Sequence, residues 1–209
     1  MKIAVVAANG KLGQLIVAEA IKRGHEVTAF ARSMNKTQSQ HFIQKDIFDI
    51  TTEDVKGFDA LVSAYGITPE SAQDEAVRVN NHISDILSGS KTKFYTVGGA
   101  GSLYVDEAQT TRLVDTPEFL DEWKFTALAQ AEQLYAQRER DDVDWIFVSP
   151  AAFFDFEGEF TGEYQVAGDV LTHNAEGKSY ISYKDFAYAL LDVLESEKYS
   201  KQRISFLHK

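Results

Sequence analysis

The chain has 209 residues, of which 44% are hydrophobic, and this length suggests one domain with a substantial core. A net charge of −11 argues against DNA or RNA as the main partner, because phosphate binding needs a basic surface. The chain has no cysteine, which excludes disulfides and thiol nucleophiles and fits a reducing cytoplasm. No apolar run is as long as a membrane span and no secretory leader is visible, so we expect a cytoplasmic protein that does not cross a membrane.

The first 24 residues predict a strand, a glycine turn and a helix. Lys2 to Ala7 is a short apolar run typical of a strand buried in a parallel sheet. From Lys11 onward, apolar residues recur at helical spacing, and Gly13 lies on that face, where a missing Cβ lets helix and strand approach closely. Gly10 lies in the turn, where a pyrophosphate would rest against backbone at the helix N-terminus. The predicted dinucleotide turn comprises Asn9, Gly10, Lys11, Leu12 and Gly13.

This turn is an incomplete fingerprint, because the usual motif has three glycines and the first of them is Ala7 here. Its position after a strand and before a helix is the context that the motif requires. A tight strand–helix turn without a ligand is the alternative.

His25 to Ala31 predicts the second strand, which Arg32 and Ser33 end. In NAD-preferring sites an acidic residue near this point holds the ribose 2′-OH, but residues 27–40 contain no Asp or Glu. A guanidinium pairs well with a 2′-phosphate, so Arg32 beside Ser33 predicts that NADP(H) is preferred over NAD(H). A solvated surface arginine is the alternative.

The third and fourth strands are predicted at His41 to Lys45 and at Phe58 to Ala64, and a helix follows at Glu70 to Leu87. Asp46, which is followed by Ile47, could bind the adenine amino group or cap the following turn. Ligands of open α/β sheets lie at the carboxyl ends of strands. We therefore expect three residues after the fourth strand to lie along the cofactor: Ala64, Tyr65 and Gly66.

The fifth strand, Lys93 to Val97, leads into three glycines within residues 98–101. Because glycines cost chain entropy, they predict close backbone approach, here of Gly98 and Gly99 to the nicotinamide half of the cofactor. A flexible loop without a ligand is the alternative. Ser102 and Tyr104 are the polar catalytic candidates nearby.

A helix is predicted from residue 116 to residue 138, a sixth strand at Asp144 to Ser149 and a last strand at Arg203 to His208. Ser182 predicts a helix N-cap. The five histidines have no ligand spacing, and we predict no metal site. No repeat or linker is visible, so residues 1–209 are expected to form one domain.

With these pieces placed, the chain resembles the atypical short-chain dehydrogenases/reductases. Within them it is similar to bacterial NADH-flavin reductase-like proteins, related to the NmrA-like and biliverdin/flavin reductase-like groups. Five motifs carry the resemblance: Ala7–Gly13, Val97–Leu103, Val148–Ala151, Thr161–Tyr164 and Ser182–Ala187.

The resemblance implies an α/β, Rossmann-like doubly wound parallel sheet with a small C-terminal substrate-side region, mainly within residues 151–185. It also implies a nicotinamide dinucleotide on the glycine turn, with Pro150 and Ala152 near the cofactor. Aromatic residues on the substrate side could form a stacking wall or belong to the core. The candidates are Phe153, Phe154 and Tyr164.

The catalytic Tyr-x-x-x-Lys of the superfamily is missing, and its two positions correspond to Trp123 and Ala127. Lys124 points elsewhere on the helix. Without that acid, reduction of carbonyls and sugar epimerisation are disfavoured. Hydride transfer from NAD(P)H to a small-molecule acceptor such as a flavin, a quinone or a similar flat ring needs mainly positioning.

The alternative function is a dinucleotide-binding sensor of the NmrA type without turnover, acting through a protein partner. A third option is a carbonyl reductase that uses an unrecognised acid such as Tyr104. The physiological acceptor and the oligomeric state stay open.

Overall fold

The computed structural model describes residues 1–68 and 70–209, and within them eight strands form one sheet. Its strands are β1 (Lys2–Val6), β2 (Glu26–Ala31), β3 (His41–Gln44), β4 (Ala60–Ser63), β5 (Lys93–Val97), β6 (Trp145–Ser149), β8 (Tyr164–Ala167) and β10 (Gln202–His208). A separate two-stranded parallel sheet pairs β7 (Phe153–Asp155) with β9 (Tyr180–Ser182).

The strand order of the large sheet is β3-β2-β1-β4-β5-β6-β10-β8, and every pair is parallel except β10 with β8. The order runs outward in both directions from the pair β1 and β4, which is the doubly wound arrangement of Rossmann-like folds. The predicted fold class is therefore confirmed.

Four helices cover the two faces of this sheet in the described residues: α1 (Lys11–Lys22), α2 (Glu75–Leu87), α3 (Asp121–Arg138) and α4 (Tyr183–Ser196). Helices α1 and α4 pack on one face, where Ile3 and Val5 point from β1. Helices α2 and α3 pack on the other face, where Ala4 and Val6 point. Because β1 is buried on both faces, its sequence is a continuous apolar run rather than an alternating one.

The predicted elements differ from the observed ones mainly at their ends. Helix α2 begins at Glu75 rather than at Glu70, and α3 begins at Asp121 rather than near residue 116. Residues 113–115 instead form a short 3₁₀ helix, and Thr116 is extended after it. The predicted helices therefore begin several residues earlier in the sequence than the observed ones.

Ser182 is the N-cap of α4, as predicted, and its hydroxyl accepts a hydrogen bond from the Asp185 N–H at 3.0 Å. The buried Asp185 carboxylate also accepts hydrogen bonds from the N–H groups of Thr161 and Gly162, at 3.0 and 2.8 Å. Gly162 has a positive φ of 72°, which favours glycine. Two motifs that are distant in sequence thus form one structural unit beside the substrate-side region.

Candidate cofactor and substrate cleft

One cleft of about 1170 Å³ opens at the carboxyl ends of β1, β2, β4, β5 and β6. It lies where the strand order reverses between β1 and β4, the place at which open α/β sheets bind ligands. The residues that immediately follow each strand therefore line the cleft.

The turn after β1 presents an uncapped helix end to this cleft. Ala7 adopts a left-handed backbone with φ of 57°, and the Gly10 N–H donates to the Ala7 carbonyl oxygen at 3.0 Å. Gly10 is the N-cap of α1 and offers no side-chain acceptor to the first-turn N–H groups. Such unpaired N–H groups, together with the helix dipole, favour a phosphate group.

Gly13 is required by packing. A Cβ at this position would lie 2.7 Å from the Ala7 carbonyl oxygen and 2.9 Å from the Ala8 Cα. These neighbours are backbone atoms of the turn, so they cannot move aside as a flexible side chain could. Gly13 does not itself line the cleft, whereas Asn9, Gly10, Lys11 and Leu12 do.

Asn9 ties the glycine turn to the loop after β2. Its amide nitrogen donates to the Ser33 hydroxyl at 3.0 Å and to the Met34 carbonyl oxygen at 2.8 Å. Its amide oxygen accepts from the Lys36 N–H at 2.9 Å. A single side chain thereby holds residues 33–36 against the turn, and Arg32 enters the cleft at the base of this loop.

Arg32 lines the cleft and is exposed. Within the described residues, no carboxylate lies within ion-pairing distance of its guanidinium. The arrangement leaves this cation available to an anion on a ligand.

Asp46 lines the cleft, and its side chain also accepts a hydrogen bond from the Phe48 N–H at 3.1 Å. Asp46 therefore caps the following turn, which was one of its two predicted roles, and binding of the adenine amino group by Asp46 stays a prediction.

The loop after β4 contributes Ala64, Tyr65 and Gly66 to the cleft, together with a partner that the sequence did not reveal. The Tyr65 hydroxyl donates to Glu75 Oε1 at 2.5 Å, and Glu75 lines the same wall. Burial and the adjacent Glu75 carboxylate raise the pKa of Tyr65 to about 12, although the Arg32 charge opposes the rise. Tyr65 therefore stays protonated at neutral pH.

The glycines of residues 98–101 are fixed by protein neighbours. A Cβ at Gly98 would lie 2.0 Å from the Phe147 ring, and one at Gly99 would lie 2.1 Å from the Gln130 amide oxygen. At Gly101 a Cβ would lie 2.6 Å from that of Ala127. Gly98 and Gly99 both line the cleft. Packing accounts for Gly98 and Gly101, whereas the Gln130 amide beside Gly99 is the end of a flexible side chain.

Helix α3 forms the opposite wall with residues spaced by helical turns: Trp123, Thr126, Ala127 and Gln130. Trp123 and Ala127, which the sequence analysis matched to the tyrosine and lysine of the superfamily, therefore both line the cleft. Trp123 is 57% exposed.

The segment after β6 closes this end of the cleft with Pro150, Ala152, Phe153 and Phe154. The Phe154 ring packs on the Tyr183 ring with centroids 4.0 Å apart, so it is held in place. Phe153 is 61% exposed and leaves an uncovered aromatic surface.

Three predicted candidates lie outside the cleft lining. The buried Ser102 hydroxyl accepts from Arg203 Nη1 at 3.0 Å, and Tyr104 bridges through its backbone to Arg112 and Val170. The Tyr164 hydroxyl donates to Asp192 at 2.6 Å. Burial, together with the Asp192 carboxylate, raises the pKa of Tyr164. The Ser102 and Tyr164 hydroxyls are engaged in these contacts, and none of the three residues is among those that line the cleft.

In residues 1–68 and 70–209, no group of three or more His, Cys, Asp or Glu side chains could hold a metal ion. Among the described helices, none is long and apolar enough to cross a membrane.

Comparisons with known proteins agree with this geometry. A family described as NAD(P)H-binding matches residues 7–197. YwnB of Bacillus subtilis, an uncharacterised protein, is 48% identical over 208 residues, which cover 98% of this chain and 97% of YwnB. A Streptococcus pneumoniae crystal structure, provisionally named an NADH-flavin reductase, is 49% identical with a TM-score of 0.97 and 100% coverage of both chains.

A Bacteroides thetaiotaomicron structure, provisionally named an epimerase, is 32% identical with a TM-score of 0.86. That match covers 99% of this chain and 96% of the other chain. Relatives with this fold thus carry names from two different reaction classes.

Proposed function

Because the chain belongs to the NAD(P)H-binding family of atypical short-chain dehydrogenases/reductases, we propose that it is an NADPH-dependent reductase of a flavin, quinone or similar flat acceptor. The nucleotide would lie across the strand ends, with its diphosphate on the uncapped first turn of α1. The residues proposed to hold it are Asn9, Gly10, Lys11, Leu12, Gly13, Arg32, Ser33, Asp46, Ile47, Ala64, Tyr65, Gly66, Gly98, Gly99, Pro150 and Ala152. Gly13 acts by packing and the others by lining the cleft.

Arg32 supports the choice of NADPH. It is an exposed cation at the end of β2 with no carboxylate partner in the described residues, and a guanidinium matches a 2′-phosphate in geometry and charge. The Streptococcus pneumoniae relative carries NADH in its name, so the preference of this chain needs its own measurement.

The observation that carries the proposed reaction is the face that α3 turns to the cleft. Trp123 and Ala127, which correspond in sequence to the superfamily's tyrosine and lysine, both line the cleft. In that catalytic pair the tyrosine protonates the developing alkoxide and the lysine lowers the pKa of the tyrosine. The site thus lacks that proton donor and offers an indole surface in its place. This pattern disfavours carbonyl reduction and epimerisation and favours an acceptor that spreads charge over a ring.

The protein's task in such a reaction is mainly positioning. The bound cofactor would supply a hydride, and the reduced ring would take its remaining proton from water. Pro150 and Phe154 would hold one side of the cleft while Trp123 supplies a flat surface on the other.

Steady-state oxidation of NADPH, followed by absorbance with riboflavin, FMN or a quinone as acceptor, tests this function. We expect oxidation that depends on both the acceptor and the protein, and saturates with each substrate. Saturable NADPH binding without acceptor-dependent oxidation would contradict the reductase and favour the non-catalytic sensor.

A further inference from the structure

The lysines and arginine that line the cleft are Lys11, Arg32 and Lys45, whereas the charged residue lining the α3 end is Glu118, and this difference bears on the acceptor. Resting on the reductase function proposed above, we propose that the acceptor is an uncharged planar ring compound rather than a phosphorylated flavin. Riboflavin and FMN represent the two classes, because they share one ring system and differ by a phosphate.

The cleft concentrates its cations at the nucleotide end. Arg32 follows β2, and Lys45 follows β3, where its ammonium is paired with Asp54 at 2.6 Å. Lys11 is the first residue of α1, beside the proposed diphosphate site, and its ammonium lies 4.1 Å from the centroid of the Phe156 ring. A bound dinucleotide would bring its own phosphates to Arg32 and Lys11.

The segments that flank the other end are acidic. Residues 115–122 contain four carboxylates and no lysine or arginine, and so do residues 155–163. Asp115 and Asp121 are each paired with a neighbouring cation at 2.6 Å. Glu118 lines the cleft, is exposed, and has no ion-pair partner among the described residues. A phosphate here would meet net negative charge.

The same end also presents uncovered apolar surface. Leu120 is 60% exposed, Trp123 57% and Phe153 61%, and all three line the cleft. Exposed aromatic faces stack readily on flat rings. The cleft volume of about 1170 Å³ is larger than single-ligand pockets, which are on the order of 300–1,000 Å³.

These observations together define the acceptor chemistry. Aromatic surface beside the Glu118 carboxylate favours a ring and opposes a phosphomonoester, which carries about −1.5 to −2 charges at neutral pH. In the two-electron reduction of riboflavin by NADPH, atoms and electrons balance because the ring gains a hydride from the cofactor and one proton from water. No further reactant is needed.

The test is a fluorescence titration of the protein saturated with NADP⁺, using riboflavin or FMN as the quencher and free tryptophan as the optical blank. Trp123 lines the cleft, whereas Trp145, the other tryptophan, is buried in the core. We expect riboflavin to bind roughly tenfold more tightly than FMN, because the phosphate is repelled. The quenching should largely disappear in Trp123→Phe, which keeps an aromatic surface.

Glu118→Lys should narrow or invert the preference for riboflavin. The matched control is Glu53→Lys, which makes the same charge change at an exposed site outside the cleft and should leave the ratio unaltered. Equal or tighter binding of FMN by the unmodified protein would overturn the inference, and so would a lack of riboflavin binding or quenching that persists in Trp123→Phe.

The results that would contradict the reductase proposal differ from those that would contradict the uncharged acceptor. A protein that oxidises NADPH with a preference for FMN keeps the reductase and loses the uncharged acceptor. A protein that binds riboflavin more tightly than FMN but never oxidises NADPH keeps the ring site and loses the reductase.

Discussion

The nucleotide end and the acceptor end of the cleft are built in different ways. The nucleotide end is built around two short segments, residues 7–13 and 32–36, which the Asn9 side chain ties together. It presents mostly backbone and cations. The acceptor end joins residues 118–130, 150–154 and Tyr183, and it presents aromatic side chains with an acidic rim.

This difference predicts which substitutions each end can tolerate. Recognition by backbone depends on the exact path of the chain, so a single added Cβ can destroy it. Recognition by side chains on a surface can change its ligand without changing its fold. We therefore expect substitutions at the nucleotide end to affect folding and cofactor binding together, and those at the acceptor end to affect the choice of acceptor.

The largest effect is expected for Gly13→Ala. The new Cβ would meet backbone atoms of Ala7 and Ala8 at 2.7–2.9 Å, so α1 or the turn must shift. We expect the free energy of unfolding to fall by about 3 kcal/mol and NADPH binding to weaken severely. Denaturant unfolding and calorimetry measure the two effects.

The matched control for this change is Gly168→Ala, where a Cβ would have no neighbour within 4 Å. It should change stability by less than about 0.5 kcal/mol. If Gly13→Ala were as mild as this control, the close packing of helix and turn would not limit the site.

Arg32→Ala separates the two cofactors. Loss of a charge-assisted contact to the 2′-phosphate should cost NADPH about 1.5–3 kcal/mol of binding free energy, while NADH should bind almost unchanged. Calorimetric titrations with both nucleotides give the two values. Lys56→Ala removes an exposed lysine outside the cleft and should alter neither. Equal losses for both cofactors would remove Arg32 from the phosphate site.

Asn9→Ala releases the loop that carries Arg32 from the turn. The lost hydrogen bonds should lower the free energy of unfolding by about 1 kcal/mol and weaken NADPH more than NADH, because Arg32 is no longer held. Asn35→Ala is the control, since the side-chain hydrogen bonds of Asn35 to described residues stay within its own loop, with Ser39 and Thr37. It should leave the ratio of the two affinities unchanged.

The smallest effect concerns the missing first glycine. Ala7 already adopts the left-handed backbone that the fingerprint glycine supplies, at a strain cost that Ala7→Gly should relieve. We expect a gain of about 0.5–1 kcal/mol in unfolding free energy and unchanged NADPH affinity. Gln109→Gly, at a similar φ of 56° outside the cleft, should give a similar gain. Tighter NADPH binding in Ala7→Gly alone would show that alanine distorts the turn.

The same contrast explains which parts of the site could be predicted from the sequence. The nucleotide end is local in sequence, so the strand, the turn and the helix spacing predicted it, and Gly13 packs as expected. Apolar runs and helical spacing predicted most of the remaining elements, and the family resemblance implied the Rossmann-like fold. The Asn9 contacts were not predicted, because nothing in a lone asparagine indicates a partner about 25 residues away.

The acceptor end and the Tyr65–Glu75 pair were harder to predict because they depend on distant or loop-separated residues. The glycines near residue 100 show the limit most clearly. A sequence indicates that close approach occurs, but it does not tell whether a ligand or the protein itself, here Phe147, Gln130 and Ala127, comes close. Ser102 is a catalytic candidate in the sequence because it follows this loop directly, but in the structure its hydroxyl accepts a hydrogen bond from Arg203.

The central claim is that the bend after β1 holds the diphosphate of NADPH. Isothermal titration of the purified protein with NADPH and with NADH tests it most directly. The account predicts a saturable heat for NADPH at one site per chain and weaker binding of NADH. The claim would be contradicted if neither nucleotide showed binding, either by heat in this titration or in a displacement titration at a second temperature.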